Sequence, residues 1–387
     1  MVGNEVFIVG AVRTPVGRGS REKGIYGSIH PAELLGGTYV GLLERTAVDP
    51  AQVDGLVIGC VYQMAEQSSG IARTAWLAEG LPEQVAGTTV DIRCGSGQQA
   101  VNVAATRVAA GVEEVVLAGG IEHMGRVGFP VNLEVQERYG GPFPASLLER
   151  YAIVPQGESA ELIADRWGIG REEMDALALR SHRLADAAAA AGRFDREMLP
   201  VAVGDAIHTT DQGVRPDTSA EALAGLRPAF REDGRVTAGN SSQISDGAAA
   251  LLLCSERSAA ELGLMPRARI VDQLLIGVDP VTMLTGPIPA TREILSRNGL
   301  EIGDLDAIEI NEAFASVVLA WQRELEPDMD RVNRRGGAIA IGHPLGASGA
   351  RLLTTLLHTL EDEDGELGLV TMCCAGGLGT ATLIQRL

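Results

Sequence analysis

Two stretches in opposite halves of this 387-residue chain repeat one pattern. In the first, Asp91-Ile-Arg-Cys-Gly-Ser-Gly opens a helical stretch that leads to Glu113-Glu-Val-Val-Leu-Ala-Gly-Gly. In the second, Ile341-Gly-His-Pro-Leu-Gly-Ala-Ser-Gly opens a helical stretch that leads to Gly368-Leu-Val-Thr-Met-Cys-Cys-Ala-Gly-Gly. Each reads as a small-residue turn, an amphipathic helix, a buried strand and a double glycine. An internal echo of this length constrains the fold strongly, because it predicts two related halves facing each other across a pseudo-twofold axis. On this alignment Cys94 and His343 hold equivalent places, each at a helix N-terminus in its own half.

Short apolar runs alternate with helical stretches along both halves, the pattern of a buried α/β sheet. Strands are expected at Val6–Val9, Gly55–Val61, Val115–Ala118, Ala248–Cys254, Ile270–Ile276, Ala307–Ile310 and Leu369–Cys373. Helices are expected at Gln98–Ala110, Glu158–Trp167, Arg171–Ala191, Ala290–Asn298 and Ala347–Leu360. Aromatic residues make up only 4% of the chain, so the core must be filled by Ala, Val, Leu and Ile. The stretch 125–233 breaks the alternation, is rich in Pro, Gly and charge, and holds two helical pieces. It reads as an inserted loop domain (125–233) on a first half formed by 1–124 and 234–262, with 263–387 as the second half.

The candidate chemistry follows from placement. Cys94 at a helix N-terminus faces unpaired backbone N–H groups and the positive end of the dipole, which favours a thiolate by roughly 0.3–1 kcal/mol. His343, in cleared small-residue space, suits a general base that takes the thiol proton. Cys373 ends a buried strand and can exchange a carbon-bound proton in a dry site, while Cys374 alternates to the other side. Cys60 and Cys254 read as core. Asn311 follows a strand and reads as a helix N-cap or as a donor to a water or an oxyanion. Glu122 and His123 end another strand and read equally as structural or functional. The five cysteines have no C-x-x-C or metal-ligand spacing, which suits a reducing compartment. A net charge of −19 opposes a nucleic-acid or anionic-membrane surface, but not an anionic ligand held by local arginines. There is no apolar run of membrane length, no basic-apolar leader and no peroxisomal ending in Gln385-Arg386-Leu387, so the chain reads as cytoplasmic.

Taken together these residues resemble the thiolase family. The resemblance rests on Cys-Gly-Ser-Gly at Cys94, Asn-Glu-Ala-Phe-Ala at Asn311, the segment Gly-Gly-Ala-Ile-Ala-Ile-Gly-His-Pro-Leu-Gly-Ala-Ser-Gly-Ala-Arg from Gly336, and Cys-Cys-Ala-Gly-Gly-Leu-Gly from Cys373. Ala-Val-Arg-Thr-Pro at Ala11, Arg-Pro-Ala-Phe at Arg227, Thr-Ala-Gly-Asn-Ser-Ser at Thr237 and Gly-Pro-Ile-Pro-Ala at Gly286 support it. It implies a thiolase-like α/β fold, in which two duplicated five-stranded mixed-sheet halves form an α-β-α-β-α sandwich with an inserted loop domain.

The resemblance also implies roles. Cys94 would be the nucleophile, His343 its base, Cys373 the second acid/base and Asn311 the holder of a catalytic water. The water and His343 would form one oxyanion hole, and the backbone N–H groups of Cys94 and Ala375 the other. Arg215, Ser242, Phe230, Ala238 and Phe314 would contact coenzyme A. It further implies acyl-CoA substrates, including acetyl-CoA, with no metal and no permanently bound cofactor, and a homodimer or homotetramer. Asp91, Ala375, Cys374 and Gln156 depart from common family residues and bear on acyl-group size. Two alternatives remain at this point: a ketoacyl-synthase-type condensing enzyme on the same fold, and a non-catalytic acyl-CoA-binding partner.

Overall fold

The computed structural model describes residues 4–387. Nine main strands are β1 (Val6–Arg13), β2 (Gly55–Gly59), β3 (Ala86–Val90), β4 (Val115–His123), β5 (Ser245–Ser255), β6 (Ala268–Gly277), β7 (Ala307–Ile310), β8 (Leu367–Cys374) and β9 (Leu378–Arg386). The principal helices are α1 (Pro31–Thr46), α2 (Ile71–Ala78), α3 (Ser96–Ala109), α4 (Gln156–Arg166), α5 (Arg171–Ala190), α6 (Pro287–Asn298), α7 (Ala315–Leu325) and α8 (Leu345–Asp362).

The duplication is visible in the strand order. The first half runs β3–β2–β4–β5–β1, and the second runs β7–β8–β9–β6. In both, a parallel pair is followed by antiparallel neighbours: β2 with β4, and β7 with β8, are parallel. The place of β3 is taken in the second half by a single parallel bridge from Ile308 to Val332. The two sheets meet edge to edge where Phe7 and Ile8 pair with Arg269 and Ala268.

Strand periodicity builds the layers. On β1, Phe7 and Val9 join a cluster with Leu35, Tyr39, Leu42 and Trp76 of α1 and α2, whereas Val6 and Ile8 point to the other face. That other face packs on α3 and α8, together with Val370, Met372 and Ile384 from the second half. Beyond it, Ile308, Leu369 and Leu383 pack on α6 and α7. The helix α8 is therefore enclosed on every side, and 15 of its 18 residues are buried. Its Leu352, Leu353, Leu356, Leu357 and Leu360 each contribute about 1.5–3 kcal/mol of transfer free energy.

The central helices approach through glycine. A Cβ on Gly97 of α3 would lie 2.5 Å from the Gly346 carbonyl oxygen, and one on Gly346 would lie 2.7 Å from the Gly59 oxygen and 2.8 Å from the Cys60 Cα. All three obstacles are backbone and cannot rotate away. This contact sets the separation of the two helix N-termini.

The strands and helices expected from periodicity are present, most with longer bounds. The strand from Gly55 stops at Gly59 rather than Val61, and the helices expected to end at Ala110, Trp167 and Ala191 each end one residue earlier. Two strands escape the periodicity. The edge strand β3 (Ala-Gly-Thr-Thr-Val) is half-exposed and hardly apolar, and β9 buries Thr380 and Thr382 within its pattern. The stretch 125–233 is also more regular than its two expected helical pieces. Besides α4 and α5 it holds helices at Phe129–Tyr139, Ala145–Leu148 and Ala220–Ala224, and a hairpin of Val201–Val203 with Ala206–His208. The first two helices bury no residue; their large apolar side chains, Phe129, Leu133, Tyr139 and Leu148, are exposed. The stretch is tied to β1 by buried Arg13, which donates to Glu197 at 2.5 Å and to both carboxylate oxygens of Asp211 at 2.7 and 3.0 Å.

Gly346→Ala should destabilise the protein by about 1–3 kcal/mol through overpacking. Gly37→Ala, on the exposed face of α1 where a Cβ meets nothing, should stabilise it by about 0.5–1 kcal/mol. Urea unfolding midpoints of the two variants check the contrast.

Candidate active site

The Cys94 turn is built locally. Arg93 has φ 60°, a left-handed conformation uncommon outside glycine, and it swings the chain so that Cys94 stands two residues before the first residue of α3. Asp91 Oδ1 accepts the Arg93 N–H at 2.7 Å, an Asx turn that Asp or Asn can make equally well. The Ile92 N–H donates to Ser96 Oγ at 2.9 Å, and Ser96 Oγ–H donates to the Arg93 carbonyl at 2.6 Å.

Cys94 is 3% exposed. The Ala375 N–H, the N–H of Cys94 itself and the charge of Arg93 favour the thiolate. Burial is the larger effect, and Glu122 adds to it, so the thiol is pushed up from 9.0 to about 11. That amounts to about 3 kcal/mol against the thiolate. The helix-terminal activation expected from sequence is thus outweighed by desolvation. Cys373 is fully buried, and its thiol is also pushed up, by burial first and then by the nearness of Cys94. Cys374 is buried beside the same turn rather than away from it. A Cβ on Gly95 would lie 2.6 Å from the Cys374 sulfur.

His343 stands two residues before α8, as Cys94 does before α3. Its N–H donates to the Gln243 carbonyl at 3.2 Å and to Ser245 Oγ at 3.0 Å. Its Nε2 faces Asn311 Nδ2 at 3.4 Å, and its Nδ1 lies 2.6 Å from Ser348 Oγ. Burial, aided by the Arg351 cation, lowers its pKa to about 3, so the ring is neutral. Asn311 is not a helix N-cap, because α7 begins at Ala315 with Phe314 as its cap. Instead its N–H continues the ladder to the Thr371 carbonyl at 3.1 Å, beside the strand that carries Cys373. Its Oδ1 is buried with no protein partner.

Glu122 links the halves. From the end of β4 its carboxylate accepts the N–H groups of Val61 (2.9 Å), Tyr62 (3.1 Å) and Gly346 (3.0 Å) and the Gln67 amide (2.8 Å). Burial still raises its pKa to about 7. It thereby pins the first turn of α8 and faces Cys94. His123 lies between Asp246, 3.3 Å from Nδ1, and the Tyr26 carbonyl, 2.9 Å from Nε2. Ser348 and Glu122 act on the site in ways that residue type alone did not announce; the signal for Ser348 was its place in the Gly-Ala-Ser-Gly turn after His343.

The proposed coenzyme A contacts fall into two places. Phe230, 46% exposed, packs edge-on against Phe314 with ring centroids 6.0 Å apart. The Ser242 N–H donates to the Ala313 carbonyl at 3.0 Å, and Ala238 is exposed just beyond a bridge from Pro228 to Thr237. The ring contact and the pairings of Pro228 with Thr237 and of Ser241 with Phe314 bring the segments of these four together. Arg215 is exposed on a separate segment, with its N–H donating to His182 Nδ1 at 3.2 Å. Among the described residues no group of three His, Cys, Asp or Glu side chains is placed to hold a metal, and no helix is long and apolar enough to cross a membrane.

Two buried thiols and a neutral imidazole near the starts of touching helices, in a two-lobed α/β protein, are compatible with acyl-transfer chemistry. Comparison with known proteins gives the family. Residues 6–257 match the thiolase N-terminal domain and residues 264–386 the thiolase C-terminal domain. A steroid 3-ketoacyl-CoA thiolase of Mycobacterium tuberculosis is 46% identical, covering 100% of this chain and 95% of the relative. A 3-ketoacyl-CoA thiolase of Colwellia psychrerythraea is 42% identical, covering 99% and 100%. The crystal structure of the Bacillus anthracis acetyl-CoA acetyltransferase superposes with a TM-score of 0.92 at 39% identity over the whole of both chains. The chain belongs to the thiolase family.

With the thiol near 11 and no carboxylate ion-paired to the imidazole, the free enzyme rests as thiol and neutral histidine. Alkylation of Cys94 by iodoacetamide should therefore rise about tenfold per pH unit between about pH 7 and pH 10, because thiolate is the reactive form. Peptide mass spectrometry of the modified cysteine measures this, and a plateau below pH 8 would contradict it.

Proposed function

We propose that this thiolase cleaves 3-ketoacyl-CoA with coenzyme A, and runs the reverse Claisen condensation, through an acyl group carried on Cys94. The observation that carries the reading is the meeting of the two helix starts that follow Cys94 and His343, which touch backbone to backbone through Gly97 and Gly346, with the Cys374 sulfur against Gly95 at the same turn. His343 Nε2 takes the proton of Cys94, and the thiolate attacks the 3-keto carbon. The N–H groups of Cys94 and Ala375 hold the tetrahedral oxyanion. The bond between C2 and C3 then breaks, leaving an acyl-cysteine and the enolate of acetyl-CoA. A water held by Asn311, together with His343, binds the enolate oxygen, and Cys373 gives its proton to C2. The second half-reaction transfers the acyl group to the sulfur of coenzyme A and restores both thiols, so the kinetics are ping-pong.

The electrostatics support this division of labour. Transfer of a proton from a thiol near 11 to an imidazole near 3 is uphill in the empty cleft. Oxyanion stabilisation arises only as the carbonyl is attacked, so the site binds the transition state better than the resting enzyme. The orphaned Asn311 Oδ1 supports a water site there.

Phe230, Phe314, Ala238 and Ser242 are proposed to hold the pantetheine arm, and the exposed Arg215 a coenzyme A phosphate. The chain is proposed to act in the cytoplasm, in keeping with five free cysteines. A homodimer or homotetramer is favoured by the open edge of β3, which carries no charge to keep another strand away, and by exposed Phe129, Leu133 and Tyr139 on the helix Phe129–Tyr139.

Two variants separate the proposed roles. Cys94→Ser should abolish the acyl-enzyme detected by intact-mass spectrometry after 3-ketoacyl-CoA addition, with thiolysis falling by about 10³-fold or more. Cys373→Ala should lose carbon–carbon chemistry while still accepting an acetyl group from acetyl-CoA onto Cys94. Near-normal thiolysis by the first, or equal loss of both half-reactions in the second, refutes the corresponding role. A panel of 3-ketoacyl-CoA chain lengths identifies the acyl group used.

A further inference from the structure

Ser348 is fully buried in the first turn of α8 and stands within hydrogen-bond reach of two groups. Its Oγ is 2.8 Å from the Pro344 carbonyl and 2.6 Å from His343 Nδ1. A carbonyl can only accept, and a serine hydroxyl has a single proton. With both contacts made, that proton lies on the Pro344 side, so Nδ1 must be the donor to Oγ. We infer that Ser348 fixes His343 in the Nδ1–H tautomer and thereby presents the Nε2 lone pair to the cleft as the proton acceptor. The inference rests on the reading of His343 as the base for Cys94.

The opposite face of the ring agrees. Asn311 Nδ2 approaches Nε2 at 3.4 Å, and an amide N–H donates usefully only to a ring nitrogen that carries no proton. Asn311 and Ser348 thus read the two nitrogens in complementary senses, from just beyond β7 and from α8 respectively. When the ring is protonated Nε2 turns donor to the substrate oxygen and gives up the Asn311 Nδ2–H contact, while Nδ1–H goes on donating to Ser348 Oγ.

The choice of a hydroxyl rather than a carboxylate has a consequence. A carboxylate on Nδ1 would stabilise imidazolium and favour a resting thiolate–imidazolium pair. A serine orients the ring without adding charge. The charged group that acts on the ring is the Arg351 cation from α8, and Glu122 holds Gly346, three residues along the chain, from β4. Neither supplies an anion bonded to Nδ1. Ser348 is therefore a positioning residue, acting through His343.

The test uses full-length protein labelled with ¹⁵N-histidine, with the His343 signals assigned by their loss in His343→Asn. The wild-type spectrum should show a protonated Nδ1 and a bare Nε2 across neutral pH. In Ser348→Ala the ring should become a tautomer mixture or reverse. Both half-reactions should slow by about tenfold or more, short of the 10²–10⁴-fold lost with a general base, while KM for the acyl-CoA stays within about twofold. Ser348→Thr, which keeps the hydroxyl, should restore both tautomer and rate. An Nε2–H tautomer in the wild type overturns the inference without any variant. A slow Ser348→Ala enzyme with an unchanged tautomer also overturns it, since the hydroxyl would then serve packing alone. Failure of the wild type to form acyl-Cys94 would sink the proposed reaction while leaving the tautomer result standing.

Discussion

Everything at the site depends on how closely α3 and α8 can approach. Each helix begins two residues after a candidate reactive side chain, Cys94 in one half and His343 in the other. Gly97 and Gly346 let backbone meet backbone at that point, and Glu122 adds a carboxylate that holds the Gly346 N–H from across the interface. Any larger residue at the contact would drive the helix starts apart. Catalytic geometry and core packing are therefore one constraint here, because the same contact seals the central layer of leucines and sets the cleft.

The second theme is dryness. Cys94, Cys373 and His343 are all buried, and in each the neutral form is favoured by desolvation. Helix position, backbone N–H groups and the Arg93 charge pull the Cys94 thiol the other way and lose. Such a site is quiet until a carbonyl occupies it, which suits an enzyme whose thiols would otherwise be open to alkylation and oxidation. It also explains why uncharged partners surround the histidine. Ser348, Asn311 and backbone groups orient it, and the one nearby full charge, Arg351, opposes its protonation.

Much of this was legible in the residue pattern. The echo between the Cys94 and His343 segments predicted duplicated halves, and the strand orders β3–β2–β4–β5–β1 and bridge–β7–β8–β9–β6 are that duplication in space. Buried strands announced themselves by continuous apolar runs. The edge strand β3 and the threonine-bearing β9 did not, because their stability comes from pairing and burial supplied by neighbours. The helices of the inserted stretch that bury nothing were equally silent. Asn311 illustrates the limit for single residues: a strand followed by Asn reads as a helix cap, yet here the helix starts later and the side chain turns to His343.

Residue order alone determined the class of chemistry, since two thiols and an imidazole in glycine-rich turns, one per half, restrict the possibilities to few. It determined the two-lobed α/β architecture as well, because period-two and period-3.6 patterns are local properties. Only the tertiary structure decided the state of those groups. Whether Cys94 is thiolate or thiol depends on how completely the opposite half excludes water, and which nitrogen of His343 is bare depends on a hydroxyl and an amide brought to it by α8 and β7. Desolvation and hydrogen-bond polarity are sums over neighbours distant in sequence, so they come into being only when the halves close.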